Sequence, residues 1–225
     1  MQLTVINGSP RGKSSNTKIL LSYFLHGFIQ KKPHDFTLYY LNRIKDANDQ
    51  RKLFRDAEVL LLAFPLYTDF MPAMVKEFIE NLAEEKAAQN KGKKILFLVQ
   101  SGFPEALHSY AVRDFLIKFS ERMGCEYLGT IIRGRVEGIQ TEPLWYSRGF
   151  LNKLKKLGSL LAENDKLDEK LLKELAKPEK LSRTWFFTLK LLTKLNLIDF
   201  YWNKMLKENK AMHKKNDRPY WPGDH

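Results

Sequence analysis

Short apolar runs and longer amphipathic stretches take turns along most of the chain. Each apolar run is followed by a polar loop and then by a stretch in which apolar residues recur every few positions, as they do on one face of a helix. The runs predict strands at 3–6, 36–41, 58–64, 95–99 and 127–133, and the stretches predict helices between them, with a fifth helix at 144–162. This alternation predicts an α/β fold in which helices cover both faces of a parallel sheet.

The second and third strands, with the segments next to them, differ in how much apolar surface they can bury. Residues 58–64 form a continuous apolar run, which is typical of a central parallel strand that is covered on both faces. Residues 42–57 are strongly polar, so we predict a loop there with a short surface helix.

Three polar loops follow the first, third and fourth predicted strands, at 7–17, 65–72 and 100–105. In a parallel sheet the carboxyl ends of the strands share one edge, and ligands bind beyond that edge where the strand order reverses. We therefore expect one ligand to contact all three loops.

The first loop combines hydroxyl side chains with Arg11, Lys13 and Asn16 directly before a predicted helix. The first turn of a helix leaves backbone N–H groups unpaired, and its dipole favours an anion. The loop therefore predicts a phosphate site. The alternative is an ordinary turn between strand and helix, with Ser14 or Ser15 as the N-cap.

Spacing separates this loop from two well-known nucleotide motifs. A Walker A loop has four residues between its first glycine and Gly-Lys-Ser, whereas only three lie between Gly8 and Gly12, and Pro10 supplies no N–H. The Gly-x-Gly-x-x-Gly pattern of dinucleotide sites is absent. The remaining prediction is a loop that holds the terminal phosphate of a mononucleotide.

Composition predicts a globular cytoplasmic protein. The chain has 225 residues, of which 44% are hydrophobic, and this is enough for one ample domain, with or without an appendage. The single cysteine, Cys125, excludes an internal disulfide and a cysteine-ligated zinc or iron–sulfur site, and we expect it in the core. No apolar run reaches the roughly eighteen residues of a membrane span, and no basic-then-apolar leader precedes the first strand.

The formal charge of +12 is spread along the chain rather than concentrated. Residues 151–225 carry +7 of it and residues 1–150 carry +5, and acidic and basic residues alternate on predicted helical faces. This distribution argues against a nucleic-acid partner. A mild positive field would still attract a cofactor that bears phosphate.

Residues of all three loops resemble one known family. The matching segments are Gly8-Ser9-Pro10-Arg11 with Ser15-Asn16-Thr17, Pro65-Leu66-Tyr67 with Pro72 and Lys76, and Ser101-Gly102-Phe103-Pro104-Glu105. Together they resemble the flavodoxin-like flavin reductases, which are NAD(P)H-dependent FMN and quinone oxidoreductases. The resemblance covers residues 1–163 and implies a doubly wound five-stranded parallel sheet in the order 2-1-3-4-5.

The resemblance also implies which residues contact FMN. Ser9, Arg11, Ser15, Asn16 and Thr17 would hold its phosphate; Pro65, Leu66, Tyr67 and Thr68 would line the isoalloxazine ring; Ser101, Gly102 and Phe103 would close its other edge. No catalytic side chain and no metal is expected, because N5 of the flavin carries the chemistry.

Several nearby residues have alternative interpretations. Tyr67 and Phe103 could instead anchor their loops to the core, and Asp69 is interpreted as a helix cap. His108 could donate a proton to a reduced quinone, but a histidine on the solvent face of a helix is the preferred interpretation.

The chain departs from the family in two places. Some relatives carry a cysteine-ligated cluster between the second and third strands, which is excluded here because residues 42–57 contain no cysteine. Residues 164–225 form a basic, aromatic extension for which we predict helices at 167–176, 183–195 and 197–207. We expect this extension to pack on the domain, residues 1–163, or on a dimer partner.

The resemblance implies an enzyme that transfers hydride from NADH or NADPH to FMN and then electrons to a quinone, a flavin or a nitro- or azo-aromatic compound. A homodimer is expected. One alternative is a one-electron carrier like flavodoxin, although the basic charge argues against it. The other is a peripheral membrane or partner-binding module in which the extension is the working part.

Overall fold

The computed structural model describes residues 1–30, 34–180, 182–194 and 199–217. The chain divides into two compact units, Met1–Lys180 and Leu181–His225. Within the described ranges, no helix is both long enough and apolar enough to cross a membrane.

The first unit contains a five-stranded parallel sheet in the order β2-β1-β3-β4-β5, as predicted. The strands are β1 (Gln2–Asn7), β2 (Asp35–Tyr40), β3 (Val59–Pro65), β4 (Lys94–Gln100) and β5 (Glu126–Arg133). Its helices are α1 (Asn16–Phe28), α2 (Ala47–Asp56), α3 (Ala73–Asn81), α4 (Tyr110–Arg122), α5 (Leu144–Asn164) and α6 (Glu169–Leu175). Short 3₁₀ helices lie at Gly12–Ser14, Leu41–Arg43, Ala87–Asn90, Ala106–Ser109 and Glu137–Gln140.

The sheet separates two apolar cores. β3 is buried at every position, which confirms the prediction of a central strand. On one face, buried residues of α1, α5 and α6 pack together, and on the other face buried residues of α2, α3 and α4 do so. Cys125 lies in the second core, and burial raises the pKa of its thiol.

Two glycines allow α1 and α5 to approach each other closely. A Cβ added at Gly27 would overlap the backbone carbonyl of Lys155, and one added at Gly158 would overlap that of Phe24. Backbone cannot yield as a flexible side chain can, so this contact requires glycine on both helices. It fixes the position of α1, whose first turn lies at the carboxyl edge of the sheet.

The first unit continues beyond α5. α6 lies in the part of the chain that the sequence predicts as the extension. It buries Leu171 and Leu175 in the core beneath β5, and Leu167, which precedes α6, is buried there too. Asp168 caps α6 by accepting a 2.7 Å hydrogen bond from the backbone N–H of Leu171.

The second unit contains α7 (Arg183–Lys194), α8 (Asp199–Glu208) and a 3₁₀ helix at Met212–Lys214. Ser182 accepts a hydrogen bond from the backbone N–H of Trp185 at 3.2 Å and so caps α7. The helices predicted at 183–195 and 197–207 correspond to α7 and α8, and positions 195, 197 and 198 lie outside the described residues. Packing of the second unit on the domain or on a dimer partner stays a prediction.

Candidate active site

The three predicted loops meet in a cleft at the carboxyl edge of the sheet. It is lined by Ser9, Arg11, Asn16, Pro65, Leu66, Tyr67, Gln100, Ser101, Gly102 and Glu137. Most of the predicted cofactor residues therefore lie around one space. The predicted residues Ser15, Thr17, Thr68 and Phe103 do not line it.

Asn7 organises the first loop from the end of β1. Its Oδ1 accepts a hydrogen bond from the backbone N–H of Ser9 at 2.9 Å, and its Nδ2 donates to the Gly12 carbonyl at 3.3 Å and to Ser15 Oγ at 3.2 Å. Gly12 has a φ of +53°, which favours glycine. One buried amide thus holds the loop in a single conformation.

Ser15 is the N-cap of α1. Its hydroxyl accepts a hydrogen bond from the backbone N–H of Lys18 at 3.1 Å and donates to the Gly12 carbonyl at 2.6 Å. The capped turn that we considered as the alternative is therefore present, with Ser15 rather than Ser14 as the cap. A capped turn does not exclude a phosphate site, because Asn16 and Thr17 still have backbone N–H groups without an intrahelical acceptor.

Two side chains of this loop remain available to a ligand. Ser9 is 2% exposed and lines the cleft, and its hydroxyl has no hydrogen-bond partner among the described residues. Arg11 is exposed at the cleft and forms no ion pair within the described ranges. A buried hydroxyl, a guanidinium and the start of a helix together suit a dianionic group.

The side chains of Asn16 and Thr17 join α1 to neighbouring elements. Asn16 Nδ2 donates to the Val136 carbonyl at 2.9 Å, and Asn16 Oδ1 accepts from Gln140 Nε2 at 2.6 Å. Thr17 Oγ1 is fully buried and accepts from Gln100 Nε2 at 3.4 Å. Any contact of these residues with a phosphate would therefore come through their backbone N–H groups.

The second loop is a tight hairpin. Tyr67 and Phe70 exchange backbone hydrogen bonds of 2.8 and 3.2 Å, and Thr68 between them has a φ of +58°. Tyr67 is 48% exposed, so it does not anchor the loop to the core. The prediction that Asp69 caps a helix is wrong, because α3 begins at Ala73 and its N-cap is Pro72.

The third loop is fixed to the chain that follows β5. The backbone N–H of Ser101 donates to the Arg133 carbonyl at 3.0 Å, and the Phe103 carbonyl accepts from the N–H of Arg135 at 2.8 Å. Phe103 is 41% exposed, so it is not a core anchor either, and its ring stacks on His108 outside the cleft. The predicted contact between Phe103 and a flavin edge stays a prediction.

Two cleft residues are not among the cofactor residues that the resemblance implies. Gln100 begins the predicted third loop, but it is the last residue of β4 and is 7% exposed. A buried polar residue that ends an apolar strand at a ligand-binding edge is a signal that could have marked it. Glu137 lies next to Gly102, since a Cβ added at Gly102 would be 3.5 Å from the Cβ of Glu137. No motif marks Glu137, because it enters from the turn after β5.

Arg133 lies near the same edge of the sheet and has a structural role. Its guanidinium donates to the carbonyls of Leu175 and Lys177, both at 3.3 Å, and lies 4.1 Å from the centre of the Phe150 ring. Burial, assisted by the charge of Arg135, lowers the pKa of Arg133 to about 10. It therefore stays protonated at neutral pH, where it caps the carboxyl end of α6.

Comparison with known families agrees with this geometry. Residues 1–144 match the family model Flavodoxin_2, described as a flavodoxin-like fold. The chain belongs to this flavodoxin-like family. The family match and the strand order together confirm the fold that the resemblance implied.

Individual relatives of this flavodoxin-like chain are distant. It is 30% identical over 98 residues to the glutathione-regulated potassium-efflux system ancillary protein KefG of Cronobacter sakazakii, a match that covers 38% of the chain and 53% of KefG. The chain thus spans about half the length of that relative.

Solved structures share the fold at low identity. An FMN-dependent NADH-azoreductase from Bacillus anthracis, in complex with FMN, superposes with a TM-score of 0.56 at 14% identity, over 72% of this chain and 100% of that one. An NAD(P)H:quinone oxidoreductase from Methanothermobacter marburgensis gives a TM-score of 0.57 at 15% identity, over 72% and 96%.

Proposed function

We propose that this protein is an FMN-dependent NAD(P)H oxidoreductase whose electron acceptor is a quinone, a free flavin or a nitro- or azo-aromatic compound. The observation that carries the proposal is the cleft in which a phosphate-suited loop faces two ring-suited loops. FMN, when bound there, supplies the capacity to accept hydride and to pass electrons on.

The phosphate half of the cleft fits a terminal phosphate. The Ser9 hydroxyl has no partner among the described residues, and the first two N–H groups of α1 have no intrahelical acceptor. Arg11 would add a charge-assisted hydrogen bond, and the α1 dipole would favour the negative charge. Ser15 would contribute to the phosphate site indirectly, because it caps α1 and fixes the shape of the loop.

The ring half of the cleft fits a flat heterocycle. Pro65, Leu66 and Tyr67 would lie along one side of the ring, while Ser101 and Gly102 would lie along the other. Gly102 has no side chain, so a flavin could approach the backbone of the third loop closely. Thr68 would contribute from the tip of the hairpin.

An enzyme is favoured over a one-electron carrier by the position of Phe103. A carrier tends to shield its flavin between two large aromatic side chains. Here Tyr67 lines the cleft, but the ring of Phe103 stacks on His108 and does not. One face of the flavin would remain accessible, and nicotinamide and acceptor would use that face in turn.

The fold comparisons support the same proposal. The structure from Bacillus anthracis is an FMN-dependent enzyme with FMN bound, and the Methanothermobacter protein reduces quinones with NAD(P)H. At 14% and 15% identity they share the fold with this chain. For this chain, the class of electron acceptor and the use of NADH or NADPH are part of what we propose.

Reconstitution tests the proposal. The purified protein is incubated with FMN, desalted, and assayed for NADH and NADPH oxidation with menadione as acceptor. We expect retained flavin that is identified as FMN after release, and turnover that depends on it. Protein that retains no FMN and oxidises neither nicotinamide would contradict the proposal.

We also propose a homodimer formed through the apolar groove between α3 and α4. The groove has a volume of about 390 Å³, and Phe70 and Phe115 meet edge to face at 5.5 Å on its wall while both stay exposed. Phe115→Ser should shift the sedimentation coefficient to that of a monomer, whereas Ile29→Ser, which also removes an exposed apolar side chain, should not. A wild-type monomer at micromolar concentration would contradict a dimer.

A further inference from the structure

One histidine contacts both loops on the ring side of the cleft. His108 lies in the 3₁₀ helix that follows the third loop, and its Nδ1 is 3.4 Å from Asp69 Oδ1 on the hairpin. Its Nε2 is 3.9 Å from Glu105 Oε2, and its ring stacks on Phe103 with centroids 4.4 Å apart. The side chain is 36% exposed, so it faces solvent in part, as interpreted from the sequence, and it also contacts both loops.

Hydrogen bonds to another segment hold the backbone of the helix that carries His108. Backbone N–H groups of Ala106 and Leu107 donate to the carbonyls of Pro178 and Glu179 at 3.0 and 3.3 Å, which ties the 3₁₀ helix to the segment after α6. On the hairpin, the Phe70 ring contacts Phe115, whereas the side chain of Asp69 is 70% exposed. Among the described residues, His108 is the basic side chain that pairs with Asp69.

We propose that His108 is a positioning residue that joins the hairpin at 67–70 to the third loop and holds the Phe103 ring outside the cleft; we call this contact the clasp. The clasp presets the ring side of the flavin site before any ligand binds. This inference rests on the proposed function for its purpose, because the clasped loops are the ones that would line the isoalloxazine ring.

Carboxylates lie on two sides of the His108 ring. Asp69 faces it from the hairpin and Glu105 from the residue before its own helix. Glu179, on the segment packed against that helix, interacts with Tyr110. The two ring nitrogens of His108 can therefore contact the hairpin and the end of the third loop at the same time.

Loss of the clasp should weaken flavin binding, because the hairpin becomes less ordered in the free protein. A flexible hairpin must be ordered when the ring binds, and this lowers the apparent affinity by the fraction of protein in the competent state. For a partly exposed ion pair the expected factor is about twofold to fivefold. Riboflavin is the suitable probe, because it has the ring but lacks the phosphate, so its affinity reports on the ring side of the cleft.

The first test is riboflavin titration of the full chain at one pH. His108→Gln should bind about twofold to fivefold more weakly than the wild type. His108→Arg, which keeps a donor for Asp69 and a planar group for Phe103, should bind as tightly as the wild type. His26→Gln is the matched control on exposed α1 surface and should behave as the wild type.

The second test uses no flavin. Hydrogen–deuterium exchange of the segment 66–72 in the unliganded protein, compared at one low pH, should be faster in His108→Gln and in Asp69→Asn than in the wild type. His108→Arg should restore the slow exchange. Asp69→Asn covers the case in which His108→Gln fails to fold, since Asp69 is exposed.

Equal exchange in the wild type, His108→Gln and Asp69→Asn would overturn the clasp, as would equal riboflavin affinity in His108→Gln and the wild type. Absence of FMN binding in the wild type would instead contradict the proposed function, and the exchange experiment would still decide the inference.

Discussion

Removing the guanidinium of Arg11 should separate binding of the phosphate from binding of the flavin ring. Arg11 lines the cleft and forms no ion pair with another described residue, so Arg11→Ala removes an interaction with the ligand and little else. A hydrogen bond to a charged group contributes about 1.5–3 kcal/mol. Because Arg11 is exposed and solvent screens it, the lower end applies, which is roughly a tenfold loss of FMN affinity.

The assay is quenching of flavin fluorescence, with FMN and riboflavin titrated in parallel. Arg11→Ala should weaken FMN about tenfold and leave riboflavin unchanged, and the FMN difference should shrink at high salt. Lys13→Ala is the control, since Lys13 is an exposed cation of the same loop that does not line the cleft. Unchanged FMN affinity in Arg11→Ala, or an equal loss for riboflavin, would refute this account of the loop.

Three further predictions concern packing, the unit boundary and the order of the reaction. Gly158→Ala forces a Cβ onto the Phe24 carbonyl and should lower the free energy of unfolding, measured in urea, by about 1–3 kcal/mol or more. Gly149→Ala, in open space on the same helix, should raise it by about 0.5–1 kcal/mol. Equal effects of the two changes would mean that α1 and α5 do not meet as described. Deleting 164–225 removes buried leucines of α6 and should cause aggregation, while a chain of residues 1–180 should remain folded and soluble; a soluble, active 1–163 fragment would show that α6 is dispensable. With NADPH and menadione varied, double-reciprocal plots should be parallel, and intersecting lines would exclude the use of one flavin face in turn.

Periodicity predicted the sheet because each strand is short and strongly apolar, and the buried residues of β3 are its clearest case. The position of the ligand edge followed from the parallel topology, whereas the strand order followed from the family resemblance. The limit of the first unit did not follow, because Leu167 and Leu175 look like one stripe of an independent helix until β5 is seen to offer them a surface.

The candidate site was predictable where it is local in sequence. Ser9 and Arg11 lie within one loop, so their shared position could be inferred from the loop alone. Glu137 and the Asn16–Val136 hydrogen bond join positions about 120 residues apart, and no local pattern predicts such contacts. The sequence favours a helix cap at Asp69, whereas the hairpin places its carboxylate 3.4 Å from His108.

The central claim, that the chain uses FMN to oxidise a nicotinamide, is tested most directly by anaerobic titration of the FMN-loaded protein with NADH and NADPH while the visible absorption of the flavin is recorded. The account predicts complete bleaching by at least one of them in a single two-electron step. An oxidised spectrum that neither nicotinamide changes, in a protein that dithionite reduces in two separate one-electron steps, would contradict it and identify a carrier.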